Sequence, residues 1–277
     1  ITALALFFWA KDRGPKSGSS VPALAGFAVN LLGLIGMVLM VHAGLLGHGK
    51  TGLLLLPFLG VLLAVAVLPH RYRAVLAERD TWVIMLVYSI TFGGFVGMSS
   101  YVSLLLINLY QMSPIDAGLL MAALAFTGAI LRPLGGLIAD RVSGVRALLF
   151  LLAGISILDF TFAAVTPSMG AGVLLVVGLY TCFGLGNGAT FQLVPHRWRG
   201  RTGVMTGIVG AAGGIGGFYL PVVMGIAKES TGSYQMGFAT FGGIAALAFI
   251  LVVVLRRKWL AWAMPANTDA VLPAGIP

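Results

Sequence analysis

The sequence predicts an all-helical membrane protein. Of its 277 residues, 59% are hydrophobic and only 9% are charged, and the mean hydropathy is +1.01. A soluble domain has roughly half apolar and a quarter charged residues. Apolar runs long enough to cross a bilayer recur along the chain, and the alternation of period two expected of a membrane β-barrel is not seen. These observations exclude a soluble enzyme, a disordered protein and a nucleic-acid-binding domain.

A membrane-spanning helix needs about 20 apolar residues. The first ten residues, ITALALFFWA, are too few, and we interpret them as the end of a cut helix in a fragment that lacks its N-terminal part. Complete spans are predicted at 21–46, 51–69, 82–110, 116–139, 147–166, 170–195, 203–226 and 234–256. The connections between spans are short and carry Gly, Pro, Asp and Ser, and a polar tail is predicted over 261–277.

The positive charges give the orientation, because Lys and Arg are enriched in cytoplasmic loops. If the segment KDRGPK after the first tail is cytoplasmic, nearly all of the 17 Lys and Arg residues fall on that side. Only Lys50 and Lys228 fall outside, and Arg132 is left within a span. The net charge of +9 therefore reflects membrane topology and contact with anionic headgroups of the bilayer, not nucleic-acid binding.

Arg132 is the best candidate for a functional residue. A rise of about 1.5 Å per residue puts it roughly 12 Å from the cytoplasmic end of its span, near the middle of a hydrocarbon core about 30 Å thick. An arginine at that depth is costly, and no acid is predicted at the same depth. This favours a binding role over a structural ion pair or a snorkelling arginine. Its planar set of donors suits a small planar oxyanion.

Three further features are predicted at the same depth as Arg132. Tyr88 and Phe92 form an i,i+4 pair on one helix face. Two glycine-rich stretches lie on other spans. The one on the span at 170–195 contains Gly184, Gly186, Asn187 and Gly188, and the one on the span at 203–226 contains Gly213, Gly214, Gly216 and Gly217. Glycine lets a backbone approach a ligand or another helix closely. Each stretch alone is more typical of helix packing, but the shared depth favours a site near the midplane, where transporters bind substrate.

Other polar groups in the spans give weaker signals. Asp159 is predicted nearer the outer face, as a polar contact between helices or, less favoured, as a proton carrier. The single cysteine, Cys182, excludes a disulfide framework and a cysteine zinc site. The spans show neither a Ser/His/Asp set nor a cluster with metal-ligand spacing, so no enzyme activity, cofactor or metal is predicted.

Several stretches resemble known families. GLLMAALAFTGAILRPLGGLIADRVSGVR at 118–146 resembles the helix and loop motif of the major facilitator superfamily as it appears in the second half of those proteins. More specifically, YSITFGGFVG at 88–97, LRPLGGLIADR at 131–141, GLGNGATFQ at 184–192 and GIVGAAGGIGGFYLP at 207–221 resemble the bacterial nitrate/nitrite porter family.

This resemblance implies a C-terminal six-helix transporter bundle at 82–260 in a multi-pass protein of the bacterial inner membrane. The segment 11–81 stands where the family has a cytoplasmic linker, and its two extra spans depart from the family pattern. The missing N-terminal six-helix half would supply a second arginine and complete the site. No nucleic acid is implied as a partner.

The resemblance also assigns roles to residues. It implies that Arg132 binds nitrate or nitrite, that Tyr88 contacts the substrate and that Phe92 packs on the planar anion. It adds Asn187 and the glycines Gly213, Gly214, Gly216 and Gly217 to the substrate site. Asp140, Arg141 and Arg146 match the loop motif and would latch a cytoplasmic gate.

The expected function is nitrate and nitrite transport by alternating access. Exchange of nitrate for nitrite is favoured over proton symport, because no proton-carrying group is predicted at the site. Two alternatives stay open. One is a major facilitator carrier for another small anion such as formate or oxalate, by exchange or with proton coupling, and the other is a non-transporting membrane half-module.

Overall fold

The computed structural model describes residues 21–44, 62, 70–165 and 167–263. The chain divides into two compact units, Ile1–Arg73 and Ala74–Pro277. The first unit contains helix α1 (Val21–His42), which falls within the first predicted full span. Apart from Leu62, the predicted span at 51–69 lies outside the described residues, as do the first ten residues and the end of the chain from 264.

The second unit begins within the short helix α2 (His70–Leu76) and continues as a helical bundle. Its helices are α3 (Arg79–Tyr110), α4 (Pro114–Val142), α5 (Gly144–Ala164), α6 (Met169–Arg197), α7 (Thr202–Thr231) and α8 (Gln235–Ala263). All six are long and apolar enough to cross a membrane. They coincide with the six predicted spans from residue 82 onward, although α8 continues beyond the predicted end at 256. The all-helical membrane prediction is confirmed, and the described residues contain no strand.

Glycines allow α3 and α7 to pack in direct backbone contact. A Cβ added at Gly93 would lie 2.6 Å from the Cα of Gly216. One turn further along α3, a Cβ added at Gly97 would lie 2.7 Å from the Cβ of Leu220. Membrane helices associate through small residues of this kind, because lipid offers no hydrophobic driving force between helices.

Glycines also allow α4 and α6 to pack in direct backbone contact. A Cβ at Gly184 would collide with the carbonyl oxygen of Gly128, and one at Gly188 would collide with the carbonyl oxygen of Arg132. Gly135 on α4 faces the backbone of Leu185 in the same way. The backbone of α6 therefore lies directly against α4 at the level of the intramembrane arginine.

A buried ionic cluster closes the end of the bundle that is predicted to be cytoplasmic. Asp80, at the start of α3, is 1% exposed. Its carboxylate accepts hydrogen bonds from Lys258 Nζ at 2.9 Å, Arg197 Nε at 3.0 Å and Trp259 Nε1 at 3.1 Å. Arg197 also pairs with Glu78 at 2.8 Å. These bonds tie the first turn of α3 to the last turns of α6 and α8.

Candidate anion-binding site

Arg132 lies on α4 with its guanidinium over two aromatic rings of α3. Its Cζ atom is 4.5 Å from the centre of the Phe95 ring and 5.2 Å from that of Phe92. A cation over a ring face is attracted by the negative face of the π system. None of the ion pairs between described residues includes Arg132, so aromatic faces, not a carboxylate, hold the side chain in place.

The predicted aromatic pair forms one wall beside the arginine. Tyr88 and Phe92 stack with their ring centres 5.1 Å apart and their planes at 5°. Phe191 of α6 meets Tyr88 edge-on at 5.0 Å. On the other side, a Cβ added at Gly213 of α7 would lie 2.6 Å from Phe92 Cδ1. The two rings are therefore held between α6 and α7, which leaves them little freedom to move away from Arg132.

Three polar groups at this level of the bundle have no hydrogen-bond partner among the described residues. They are the Nε of Arg132, the hydroxyl of Thr91 and both amide atoms of Asn187, all of them buried. Buried polar atoms without partners are rare in folded proteins and call for an explanation, such as a ligand. Donors without partners at the level of a cation are suited to a small anion that offers only acceptors.

The four glycines predicted to line the site have different surroundings. Gly213 lies under the rings of Tyr88 and Phe92, whereas Gly216 and Gly217 contact Ser89 and Val96 of α3. Gly214 is exposed, and a Cβ there would meet nothing within 4 Å. Only Gly213 touches the predicted aromatic pair, so the contacts of Gly216 and Gly217 are those of helix packing. A contact between substrate and any of the four stays a prediction.

The three residues predicted to form the gate are exposed at the junction of α4 and α5. None of Asp140, Arg141 and Arg146 takes part in an ion pair within the described part of the chain. Their turn is nevertheless fixed, because the backbone N–H of Gly144 donates a hydrogen bond to Gln192 Oε1 of α6 at 3.2 Å. The charges are available to another surface, and their role as a latch stays a prediction.

Asp159 does not make the polar contact between helices that was the favoured interpretation. It is fully buried on α5, and both carboxylate oxygens lack a hydrogen-bond partner among the described residues. A Cβ at Gly242 of α8 would lie 3.0 Å from its Cβ. Asp159 is not among the contacts of Arg132, Tyr88 or Phe92 that the structure shows.

Sequence reasoning missed Phe95, Phe191, Thr91 and the ionic cluster around Asp80. Phe95 could have been found by extending the spacing of Tyr88 and Phe92 by one further turn, because residues at i, i+4 and i+7 share a helix face. Asp80 was not detected because its partners lie far away in sequence, on α6 and α8.

The site combines a fixed cation, aromatic walls and donors without partners, and it lies well inside the length of the spans. Such a set can bind and orient a small oxyanion by parallel N–H bonds from the guanidinium. Within the described residues no group of three His, Cys, Asp or Glu side chains is placed to hold a metal ion.

Several known proteins are similar to this chain, and their names refer to nitrate or nitrite. The nitrite extrusion protein of Bacillus subtilis is 35% identical over 192 residues, which cover 69% of this chain and 47% of that protein. The probable nitrate/nitrite transporter NarK2 of Mycobacterium tuberculosis is 35% identical over 194 residues, 69% of this chain and 49% of its own length. The nitrate/nitrite transporter NarU of Escherichia coli is 29% identical over 217 residues, 68% of this chain and 45% of NarU. No protein-family model matches the chain.

The chain is a homologue of the bacterial nitrate/nitrite transporters. The resemblance stated from its motifs is thereby confirmed. It is a multi-pass protein of the bacterial inner membrane, and six helices in the described part are long and apolar enough to cross a membrane. The chain spans about half the length of the nitrate/nitrite transporters that it matches.

Proposed function

We propose that this protein transports nitrate and nitrite, and that Arg132 binds the anion. The single observation that carries the proposal is an intramembrane arginine that takes part in no ion pair with a described residue and is held over two aromatic rings. A charge at that depth requires a partner. The names of the similar proteins, which include nitrate and nitrite transporters, indicate which partner it is.

The geometry suggests how the anion is held. A guanidinium that lies over an aromatic face keeps its N–H donors in its own plane, where they match two oxygens of a planar anion. The rings of Phe92 and Phe95 hold that plane in place. Tyr88 stacks on Phe92, so we propose that its hydroxyl donates a further hydrogen bond while Phe92 forms an apolar wall.

Alternating access requires the helices around the site to move together. The backbone contacts of Gly93 with Gly216 and of Gly188 with Arg132 join α3 to α7 and α6 to α4. We propose that these pairs rock as units around the anion. A second six-helix bundle, as the resemblance implies, would close the site over Arg132 and face the exposed Asp140, Arg141 and Arg146.

Exchange of nitrate for nitrite is the mechanism that these contacts favour. The ring contacts of Arg132 and Tyr88 are with Phe92, Phe95 and Phe191, and Arg132 pairs with no carboxylate among the described residues. The buried carboxylate of Asp159 lies instead on α5, against α8. The protein would therefore act as an exchanger without enzymatic chemistry.

Reconstitution of the complete protein into liposomes tests this proposal. We expect labelled nitrate to enter vesicles loaded with nitrite and not vesicles loaded with an inert anion such as sulfate, with no change in internal pH. Proton entry that tracks nitrate entry would contradict exchange. Formate or oxalate that displaces nitrate at equal concentration would favour a carrier for another small anion.

A further inference from the structure

The hydroxyl of Thr91 is a buried donor that the proposed mechanism does not use. The residue lies on α3 with no exposed surface, and its Oγ1 has no hydrogen-bond partner among the described residues. Burying a hydroxyl without a hydrogen bond is unfavourable. A helical threonine can ordinarily avoid this cost by donating to the carbonyl of its own helix four residues earlier.

The other buried threonines of the bundle are satisfied in ordinary ways. Thr190 on α6 donates to the carbonyl of Gly186 at 2.8 Å, and Thr81 donates to the carbonyl of Val75 at 2.7 Å. Exposed threonines such as Thr127 and Thr161 also donate to carbonyls four residues back. Thr91 is equally buried and equally helical, yet its hydroxyl makes no such hydrogen bond with a described residue.

Thr91 lies on the segment of α3 that carries the aromatic residues of the candidate anion site. It lies between Tyr88 and Phe95 on α3, one turn from each. Its methyl Cγ2 faces Gly186 of α6, so the hydroxyl takes another direction around Cβ. The next residue of α6 is Asn187, which is 3% exposed and whose amide also lacks a partner among the described residues. Two buried side chains on two helices thus offer unused donors at the level of Arg132.

We propose that the Thr91 hydroxyl donates a hydrogen bond to the anion that Arg132 holds, and that it helps to select the anion. This inference rests on the proposed function. Donors from α3 and α4 would then approach the anion from different sides. An anion whose oxygens point in several directions, such as nitrate, can accept from both sides. Formate has a C–H bond in place of the third oxygen and cannot, so the hydroxyl would favour nitrate over formate.

The variant Thr91→Val tests the proposal, because it removes the hydroxyl and keeps the shape. In the complete protein we expect nitrate affinity, measured by calorimetry and by the KM of uptake, to fall about tenfold, the scale of a hydrogen bond to a charged group. Thr91→Ser should retain affinity within about threefold. The preference for nitrate over formate, measured as the ratio of their inhibition constants, should fall in Thr91→Val and not in Thr91→Ser.

Thr190→Val is the matched control, since it removes an equally buried hydroxyl whose hydrogen bond stays within α6. We expect it to leave nitrate affinity unchanged. Thermal unfolding gives a second measurement. Although Thr91→Val should bind nitrate more weakly, its melting temperature should be no lower than that of the wild type, because the substitution removes a polar group without a partner. If Thr91→Val does not fold, the nitrate affinity of Thr91→Ala decides the same question.

The outcomes separate the two proposals. A wild-type protein that neither binds nor transports nitrate would contradict the proposed function itself. A wild type that binds nitrate, together with a Thr91→Val variant of equal affinity and equal selectivity, would contradict the role of Thr91 alone.

Discussion

The guanidinium carbon of Arg132 lies 4.5 Å from the centre of the Phe95 ring. The contact joins α4 to α3 within the predicted depth of the membrane. It also explains how the Arg132 cation can be positioned without a carboxylate partner. A carboxylate would compete with an anionic substrate for the guanidinium. The aromatic ring orients the charge and leaves it available.

Replacing Phe95 by leucine should therefore weaken anion binding. A cation–π contact contributes about 0.5–2 kcal/mol, and its loss lets the guanidinium sample more conformations before binding. We expect nitrate affinity to fall about three- to tenfold, measured by uptake kinetics. Phe150→Leu on α5, where the ring is 81% exposed, is the control and should leave affinity unchanged. Equal affinities in the two variants would mean that the Phe95 ring does not position Arg132.

Adding a methyl group at Gly188 should separate α6 from α4. The new Cβ would collide with the carbonyl oxygen of Arg132 and lie 2.5 Å from the backbone nitrogen of Gly136. We expect Gly188→Ala to lose about 1–3 kcal/mol of stability through overpacking and to lose nitrate transport, measured by thermal unfolding and uptake.

Gly243→Ala on α8 is the matched control, because nothing lies within 4 Å of a Cβ there. Alanine is favoured over glycine in a helix by about 1 kcal/mol, so this variant should be as stable as the wild type or more so. A Gly188→Ala variant that behaves like Gly243→Ala would show that the two helices can part without cost.

Neutralising Asp80 should destabilise the bundle. Removing one partner of a buried ion pair costs about 3–5 kcal/mol, but Lys258 is 59% exposed and Arg197 is 27% exposed, so water compensates part of the loss. We expect Asp80→Asn to cost about 2 kcal/mol, seen as a lower melting temperature in detergent. Asp140→Asn removes an exposed carboxylate outside the described ion pairs and should leave the melting temperature unchanged.

Glycine in place of Ser143 should stabilise the turn between α4 and α5. Ser143 has φ 83° and ψ 132°, a backbone conformation that residues other than glycine rarely adopt. Its buried hydroxyl lacks a hydrogen-bond partner among the described residues. The strain is worth about 1–3 kcal/mol and the entropy cost of glycine about 0.5–1 kcal/mol. We expect a net gain of about 1 kcal/mol in the free energy of unfolding.

Ser168→Gly serves as the comparison for that turn. Ser168 precedes α6 with an ordinary φ of −59° and makes no capping hydrogen bond with its side chain, so glycine there relieves no strain. We expect it to be neutral or slightly destabilising. A loss of stability in Ser143→Gly equal to that in Ser168→Gly would refute the strain at Ser143.

The sequence predicted the six bundle helices well because each is a long apolar run, and the hydrophobic requirement of a membrane span overrides local propensity. A charge in a span and an i,i+4 aromatic pair are visible in one dimension, and the structure does bring Arg132, Tyr88 and Phe92 together. Their role in substrate binding stays a prediction. The depth estimate worked because helical rise is nearly constant, so Arg132 and Phe92 on different helices could be compared.

Other features depend on which helices become neighbours, and sequence spacing does not give that. Asp80 meets Lys258 only because the start of α3 and the end of α8 lie on the same side of the bundle. The role of Gly188 against the Arg132 carbonyl required the pairing of α6 with α4. Whether the Thr91 hydroxyl finds a hydrogen-bond partner depends on the side-chain rotamer and on the neighbouring helices, and no sequence pattern gives either of these.

Nitrate binding by Arg132→Lys tests the central claim most directly. Lysine keeps the positive charge but loses the planar pair of donors. With the complete protein, we expect the variant to fold and to melt within a few degrees of the wild type, while nitrate affinity falls about 100-fold, as the loss of charge-assisted hydrogen bonds implies. Affinity within twofold of the wild type in a folded Arg132→Lys protein would contradict the account.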